Sequence, residues 1–235
     1  MAGARSGNPR VKWGALLRHL GRFYATGNWR VPAFRDRGAD PFGVMVSTVL
    51  SQRTRDEVTE RVAGRLLAVY PTASALATAP RDRVVGLIRE VGLAESKANG
   101  LQATAGILAK DYCGKLPRVE SELIQLPLIG RKTAKAILVF GYGIPAIPTD
   151  IHIHRVANRL GVVTTKSAEE TSLALEKVVP KKYWHLLNPA LVQHGQNICT
   201  ALNPKCAGCP IRNHCSRIGV QQHMYSGTIR KSGWL

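Results

Sequence analysis

Acidic residues are scarce in this chain. Its 235 residues hold 15 Asp and Glu against 33 Lys and Arg, a formal net charge of +18. From Lys177 to Leu235 there is no carboxylate at all, and between Glu122 and Glu169 the only one is Asp150. Such an imbalance points to a polyanion as partner. Aromatic residues are also few, at 6%, which argues against a platform on which single-stranded nucleic acid would stack. No uninterrupted apolar run approaches the roughly 20 residues of a membrane span. The N-terminal MAGARSGNPR has no apolar stretch, so no secretory signal is expected and the protein is read as intracellular.

Strand-like alternation is missing too, and no segment repeats at a fixed period. Helical periodicity runs almost throughout. It predicts helices over Val11–Tyr24, Pro41–Leu50, Thr54–Tyr70, Pro71–Thr78, Arg81–Val91, Ala94–Asp111, Glu120–Leu126, Arg131–Phe140, Ile151–Leu160, Ala168–Val178 and Tyr183–Ala201. Thr54 and Glu57 have capping-box spacing. Gly92 and Gly161 are candidates for the glycine that closes a helix. The fold class is therefore all-α, and the breakers Gly143, Pro145 and Pro148 mark a plausible domain junction.

Cysteine is rare except in one place. Cys113 stands alone, whereas Cys199, Cys206, Cys209 and Cys215 follow the spacing C-x6-C-x2-C-x5-C. Disulfides are disfavoured without an export signal. Structural zinc usually takes two C-x2-C knuckles, and only one is present. Four thiolates in a single tight loop suit an iron–sulfur cube better, although spacing alone leaves zinc open.

Two further features carry chemistry. Leu126-Pro127-Leu128-Ile129-Gly130-Arg131-Lys132-Thr133 is a helix end, a tight turn and a helix start. The backbone amides of such a turn, with Arg131 and Lys135, can clamp phosphate independently of sequence. Lys132 lies in the first helical turn, where the positive end of the dipole disfavours its protonated form. It is suited either to phosphate contact or to nucleophilic attack as a neutral amine. Asp150 precedes Ile151-His152-Ile153-His154-Arg155-Val156. As a helix cap it would contribute about 1 kcal/mol, and the same carboxylate could stabilise positive charge on a sugar.

The hairpin with Lys132, Asp150 in T-D-I-H-I-H-R-V and the four-cysteine loop together resemble the endonuclease III family of helix-hairpin-helix DNA glycosylases. The resemblance spans roughly Pro41 to Cys215. It implies two helical domains: a six-helix barrel over 31–145, with the hairpin at about 119–140, and a second domain from 1–30 plus 146–235. The second domain would hold a [4Fe–4S] cluster on Cys199, Cys206, Cys209 and Cys215. Double-stranded DNA would bind in the cleft between the domains, with the damaged nucleotide flipped out.

By the same resemblance Lys132 is the Schiff-base lysine and Asp150 the catalytic aspartate. Leu93, in Gly92-Leu93 through Lys97-Ala98, would wedge into the base stack. The segment Leu50-Ser51-Gln52-Arg53-Thr54-Arg55-Asp56 would supply the side chain that fills the gap left by the flipped base. The family places Gln there, and counting back from Thr54-Arg55-Asp56 puts Arg53 at that position with Gln52 beside it. Leu128, Gly130 and His152 complete the expected DNA contacts. Leu128 stands where the family has Gly, which predicts a strained or altered turn; Ile151 replaces the usual Thr.

The implied activity is a bifunctional DNA glycosylase and AP lyase, acting as a monomer on damaged pyrimidines and abasic sites. Two alternatives are a monofunctional glycosylase for thymine or uracil opposite guanine, and a non-catalytic DNA clamp. Mismatch members tend to carry Tyr, or Ser, where Lys132 stands. A pure clamp gains little from Asp150.

Overall fold

The computed structural model describes residues 11–26 and 40–220; Trp234 and the rest of the C-terminal tail lie outside them. Among the described residues every regular element is helical, as expected. They divide into two compact units, one holding 40–148 and the other 11–26 with 149–220.

In the first unit α2 (Pro41–Ser51) is almost wholly apolar and forms the middle of the core, with Met45, Val46, Val49 and Leu50 fully buried. Its start is fixed by Pro41 in the first turn and by the Asp40 carboxylate, which accepts from Gly43 N at 2.8 Å. Around it stand α3 (Asp56–Val69), α4 (Ala73–Ala77), α5 (Arg81–Ile88), α6 (Ala94–Asp111), α7 (Glu120–Leu123) and α8 (Arg131–Ala136). Each turns one apolar stripe inward, for example Leu101, Ala105 and Leu108 of α6.

Three local expectations are corrected here. The Thr54–Glu57 capping box does not form: α3 begins at Asp56 behind Arg55, with no side-chain cap. The Thr54 hydroxyl is instead engaged by Lys97 Nζ at 3.3 Å. Gly92 is not the left-handed residue after α5; Leu93 is, at φ 60°. The helix from Arg131 does not stay α to Phe140. It widens into a π turn over Ile137–Gly141, closed by Tyr142 N to Ile137 O at 3.2 Å. Gly141 presses on Pro41 there, where a Cβ would lie 2.9 Å from Pro41 Cα.

The second unit packs α1 (Trp13–Ala25), α9 (Ile151–Leu160), α10 (Ala168–Val178) and α11 (Trp184–Asn197) around Leu16, Leu20, Ile153, Leu160, Leu187 and Leu191. Gly161 closes α9 at φ 77°, the conformation that favours glycine. The cysteine loop follows α11 and is built from two short 3-10 turns, Cys206–Gly208 and Arg212–His214.

The hairpin strain predicted at Leu128 is present: its φ is 62°. Its side chain lies over Gly100 of α6, where a Cβ would meet Leu128 Cδ1 at 2.2 Å and Cγ at 2.4 Å. Gly100→Ala is therefore expected to cost about 1–3 kcal/mol in urea unfolding. Adding Leu128→Gly should recover part of that loss, because it removes the clash and the left-handed penalty together. A Gly100→Ala protein as stable as the parent would show that Leu128 swings aside freely.

Candidate active site and nucleic-acid interface

The first unit brings two turns side by side. After α2 the chain passes through Gln52 and Arg53, and Arg53 takes φ 55°. Before α6 it passes through Gly92 and Leu93. Gly92 is small because the Arg53 carbonyl comes close: a Cβ there would sit 3.2 Å from that oxygen and 4.0 Å from Arg53 Cβ. Gln52 and Arg53 are exposed, and Leu93, a large apolar side chain, is 61% exposed.

A buried cation holds the turns in place. Lys97 on α6 is 3% exposed. Its ammonium donates to Leu50 O at 2.9 Å, Gln52 O at 2.6 Å and the Thr54 hydroxyl at 3.3 Å. All three of its protons are thereby used. Burial holds this amine below the ordinary lysine range. Sequence reasoning missed Lys97, reading it only as part of a motif; a lysine on the inward face of an otherwise apolar helix stripe is the signal that could have found it.

The hairpin lies on the same unit. Gly130 precedes α8 as its N-cap, exposed, with no side-chain cap and open space above its Cα. Lys132 is exposed in the first turn and makes no hydrogen bond or ion pair among the described residues. Arg131 forms an ion pair with Glu120 at 3.3 Å. Leu128 is half-buried against the core. Lys135 corrects an expectation: α8 turns it inward with Ala134 and Ala136, and at 4% exposure it is withdrawn from any surface phosphate clamp.

On the second unit Asp150 caps α9. Its Oδ1 accepts from His152 N and Ile153 N, both at 2.9 Å. One carboxylate oxygen thus satisfies two helix-end amides, which fixes the orientation of the group and leaves Oδ2 for other work. Ile151, beside it, is 70% exposed. His152 faces the interior of its own unit: its Cβ packs on Gly195, and its Nδ1 lies 3.1 Å from Arg155 Nη2.

Arg155 and Arg159 bind α9 to the cysteine loop. Arg155 donates to Gly195 O and Cys199 O, each at 2.9 Å. Arg159 donates to Thr200 O at 2.7 Å and Ala201 O at 2.8 Å, and reaches Cys199 Sγ at 3.5 Å. These two cations belong to the basic stretch that the sequence offers to a polyanion, yet they serve backbone carbonyls.

Cys199, Cys206, Cys209 and Cys215 line one cavity with His194, Pro204 and Ile211. Among the described residues no three His, Cys, Asp or Glu converge closely enough to hold a single metal ion. Four sulfurs spread around a shared space suit a polynuclear cube better than one zinc ion. Burial, then the neighbouring cysteines, push the thiols of Cys206 and Cys215 up; burial pushes Cys209 up to about 12. Loss of those protons requires a bound cation.

The sulfurs already have polar neighbours: Arg217 N donates to Cys215 Sγ at 3.3 Å, and His194 Nε2 lies 3.6 Å from Cys209 Sγ. His194 is fully buried and its basicity is driven down to about 3, so its ring is neutral. Its Nδ1 lies 3.0 Å from the Tyr24 hydroxyl and its Nε2 faces the sulfur, so the ring bridges Tyr24 and Cys209. Sequence spacing gave no reason to single out His194.

Lys97→Met keeps the length of the side chain and removes the ammonium. It is expected to destabilise the protein by about 1–3 kcal/mol, because the buried Leu50 carbonyl and two part-buried acceptors lose the ammonium. Urea unfolding measures the loss. An unchanged midpoint would mean that water replaces the ammonium at no cost.

The HhH-GPD superfamily of base excision DNA repair proteins matches residues 46–181, and the iron–sulfur binding domain of endonuclease III matches 199–215. Endonuclease III of Thermotoga maritima is 44% identical over 176 residues, covering 75% of this chain and 83% of that protein. Endonuclease III of Bacillus subtilis is 34% identical over 178 residues, 75% of this chain and 81% of that protein. A solved structure of a trapped endonuclease III–DNA covalent intermediate, an estranged-adenine complex, superposes with a TM-score of 0.76 at 29% identity, covering 88% of this chain and 96% of its own. With the hairpin, the capped Asp150 helix and the cysteine cavity in view, these likenesses establish that the chain belongs to the endonuclease III family, as a base excision DNA glycosylase and AP lyase carrying a [4Fe–4S] cluster.

Proposed function

We propose that Lys132 is the nucleophile and Asp150 its electrostatic and proton-handling partner. The neutral amine of Lys132 attacks C1′ of the flipped nucleotide, and the C1′–N bond to the damaged base breaks as the base leaves with the bonding pair. The sugar ring opens, and the amine and C1′ become an imine. Loss of a C2′ proton then expels the 3′ phosphate by β-elimination, and water releases Lys132. Asp150 stabilises the cationic charge that develops on the sugar and receives and returns protons through its uncapped oxygen.

The observation that carries this reading is Lys132 itself: an exposed amine without a partner among the described residues, at the head of the helix that follows the hairpin. A capped, fixed carboxylate at Asp150 supports the second role. The substrates proposed are oxidised or ring-saturated pyrimidines, thymine glycol among them, and abasic sites, in double-stranded DNA. The protein acts as a monomer inside the cell; no helix among the described residues is long and apolar enough to cross a membrane. Gln52, Arg53, Leu93, Leu128, Gly130 and Arg131 are the proposed DNA contacts of the first unit. His152 supports Asp150 from within its own unit.

Cys199, Cys206, Cys209 and Cys215 are the proposed ligands of the [4Fe–4S] cluster, which when bound cross-links the loop. Arg155 and Arg159 transmit that order to α9, and so to Asp150.

Borohydride trapping on duplex DNA carrying thymine glycol or an abasic site tests the chemistry. Wild type should give a covalent adduct on both, and Lys132→Gln on neither. Asp150→Asn keeps an oxygen for the cap and should lower the rate by about a hundredfold or more with little change in melting temperature. Specific binding without any wild-type adduct would sink the lysine assignment. Cys209→Ser should lose the broad visible absorption of the cluster together with protease resistance across 199–215; retention of both would remove Cys209 from the ligand set.

A further inference from the structure

Building on the proposed ligand set, we infer that His194 donates an N–H hydrogen bond to Cys209 Sγ in the cluster-loaded protein, that the Tyr24 hydroxyl holds its ring in that form, and that the bond raises the reduction potential of the cluster. His194 lies near the end of α11 and is fully buried. Its backbone carbonyl accepts from Cys199 N at 2.8 Å and from Ile198 N at 3.0 Å. Its Nε2 lies 3.6 Å from Cys209 Sγ, and its Nδ1 lies 3.0 Å from the Tyr24 hydroxyl of α1. One residue thus meets the start of the cysteine loop through its backbone and Cys209 through its ring, with α1 at the other ring nitrogen.

The direction of these bonds follows from what each partner can do. A neutral imidazole has one nitrogen that donates and one that accepts. A cysteine that ligates iron has lost its proton, and its sulfur can only accept. Nε2 must then carry the ring proton, because otherwise two lone pairs would face each other across a buried contact. Nδ1 becomes the acceptor, and the Tyr24 hydroxyl donates to it. Burial, and after it the sulfurs of Cys209 and Cys199, keep that hydroxyl protonated. The bonds therefore run one way, from α1 through the ring to the loop.

Other sulfurs of the loop have donors of a different kind. Arg217 N reaches Cys215 Sγ at 3.3 Å, and Arg159 Nη1 reaches Cys199 Sγ at 3.5 Å. The Ile211 backbone also donates to Cys209. A backbone amide and a guanidinium always carry their protons. The donor capacity of His194 at the sulfur depends instead on a second side chain, Tyr24, 170 positions away. A donor at a ligating sulfur stabilises the more negative, reduced state and so raises the potential.

The decisive measurement is made on the cluster-loaded wild type. Proton–nitrogen correlation spectra, with histidine labelled at both ring nitrogens, read the tautomer directly. The His194 resonances, identified by their loss in His194→Gln, should show a proton on Nε2 and none on Nδ1. Film voltammetry then reads the consequence. His194→Leu should disfavour reduction by about tenfold in the equilibrium constant, a fall of about 59 mV. His194→Gln, whose amide N–H can reach the same sulfur, should restore most of the wild-type potential. Tyr24→Phe keeps the ring and frees its tautomer, so its potential should fall between wild type and His194→Leu.

A proton on Nδ1 and none on Nε2 in the loaded wild type would overturn the inference. So would a His194→Leu protein that keeps the cluster absorption and lies within twofold of the wild-type reduction equilibrium. A His194→Gln potential as low as that of His194→Leu would assign the effect to packing of the ring and overturn the donor role. Where His194→Leu fails to take up the cluster, Tyr24→Phe decides: wild-type tautomer and potential together would remove Tyr24 from the relay. The ligand reading is tested apart from all of these, since Cys209→Ser reports it by absorption while the His194 tautomer is read in the wild type.

Discussion

The ammonium of Lys97 is bound by two carbonyls and a hydroxyl from one short turn, and no carboxylate stands beside it. Withdrawing an amine from water this far is costly unless every proton finds an acceptor. The cost is offset because two of the acceptors are backbone carbonyls at the end of α2, where the helix ladder has run out. The consequence is geometric. Leu50, Gln52 and Thr54 can no longer move independently of α6, so Arg53 and Leu93 hold unfavourable backbone angles in fixed relation to each other. A turn proposed to bind DNA gains from such rigidity, since little ordering remains to be done on binding.

The second unit uses the same device with arginine. Arg155 and Arg159 stand one helical turn apart on α9 and spread their guanidinium groups over the carbonyls of Gly195, Cys199, Thr200 and Ala201. Planar forks with several donors suit this bridging better than an ammonium would. The loop that carries the four cysteines is thereby locked to the helix whose first residue follows Asp150. In both units cations that contribute to the basic character of the chain are spent on internal architecture, and Lys135 is withdrawn as well. The polyanion-facing charge is smaller than the formal +18 suggests.

Three of the five non-glycine residues with positive φ among the described residues lie in the proposed DNA-contacting turns; Cys113 and Arg217 are the others. Among the described residues Arg53, Leu93 and Leu128 all adopt positive φ although none is glycine. At Leu128 the compensation is Gly100, which provides the room that the leucine side chain occupies. At Leu93 it is the hydrogen bond from Lys97 N to Leu93 O at 2.9 Å, the first of α6. Rigid elements packed on a core hold each turn open to solvent, the usual arrangement for loops that bind.

What the amino-acid sequence determined by itself is what depends on neighbours within a few residues. The helical stripes, the closing role of Gly161, the cap at Asp150 and the close grouping of four cysteines all follow from spacings of one turn or one loop. The tertiary structure alone decided which cations face inward, because the carbonyls that bind Lys97 and Arg155 lie forty residues or more away along the chain. It also moved the left-handed turn from Gly92 to Leu93. The Arg53 carbonyl comes close enough to position 92 that a Cβ there would be crowded at 3.2 Å, and the backbone reverses at the next residue. A charge count and a motif carry no information about such distances.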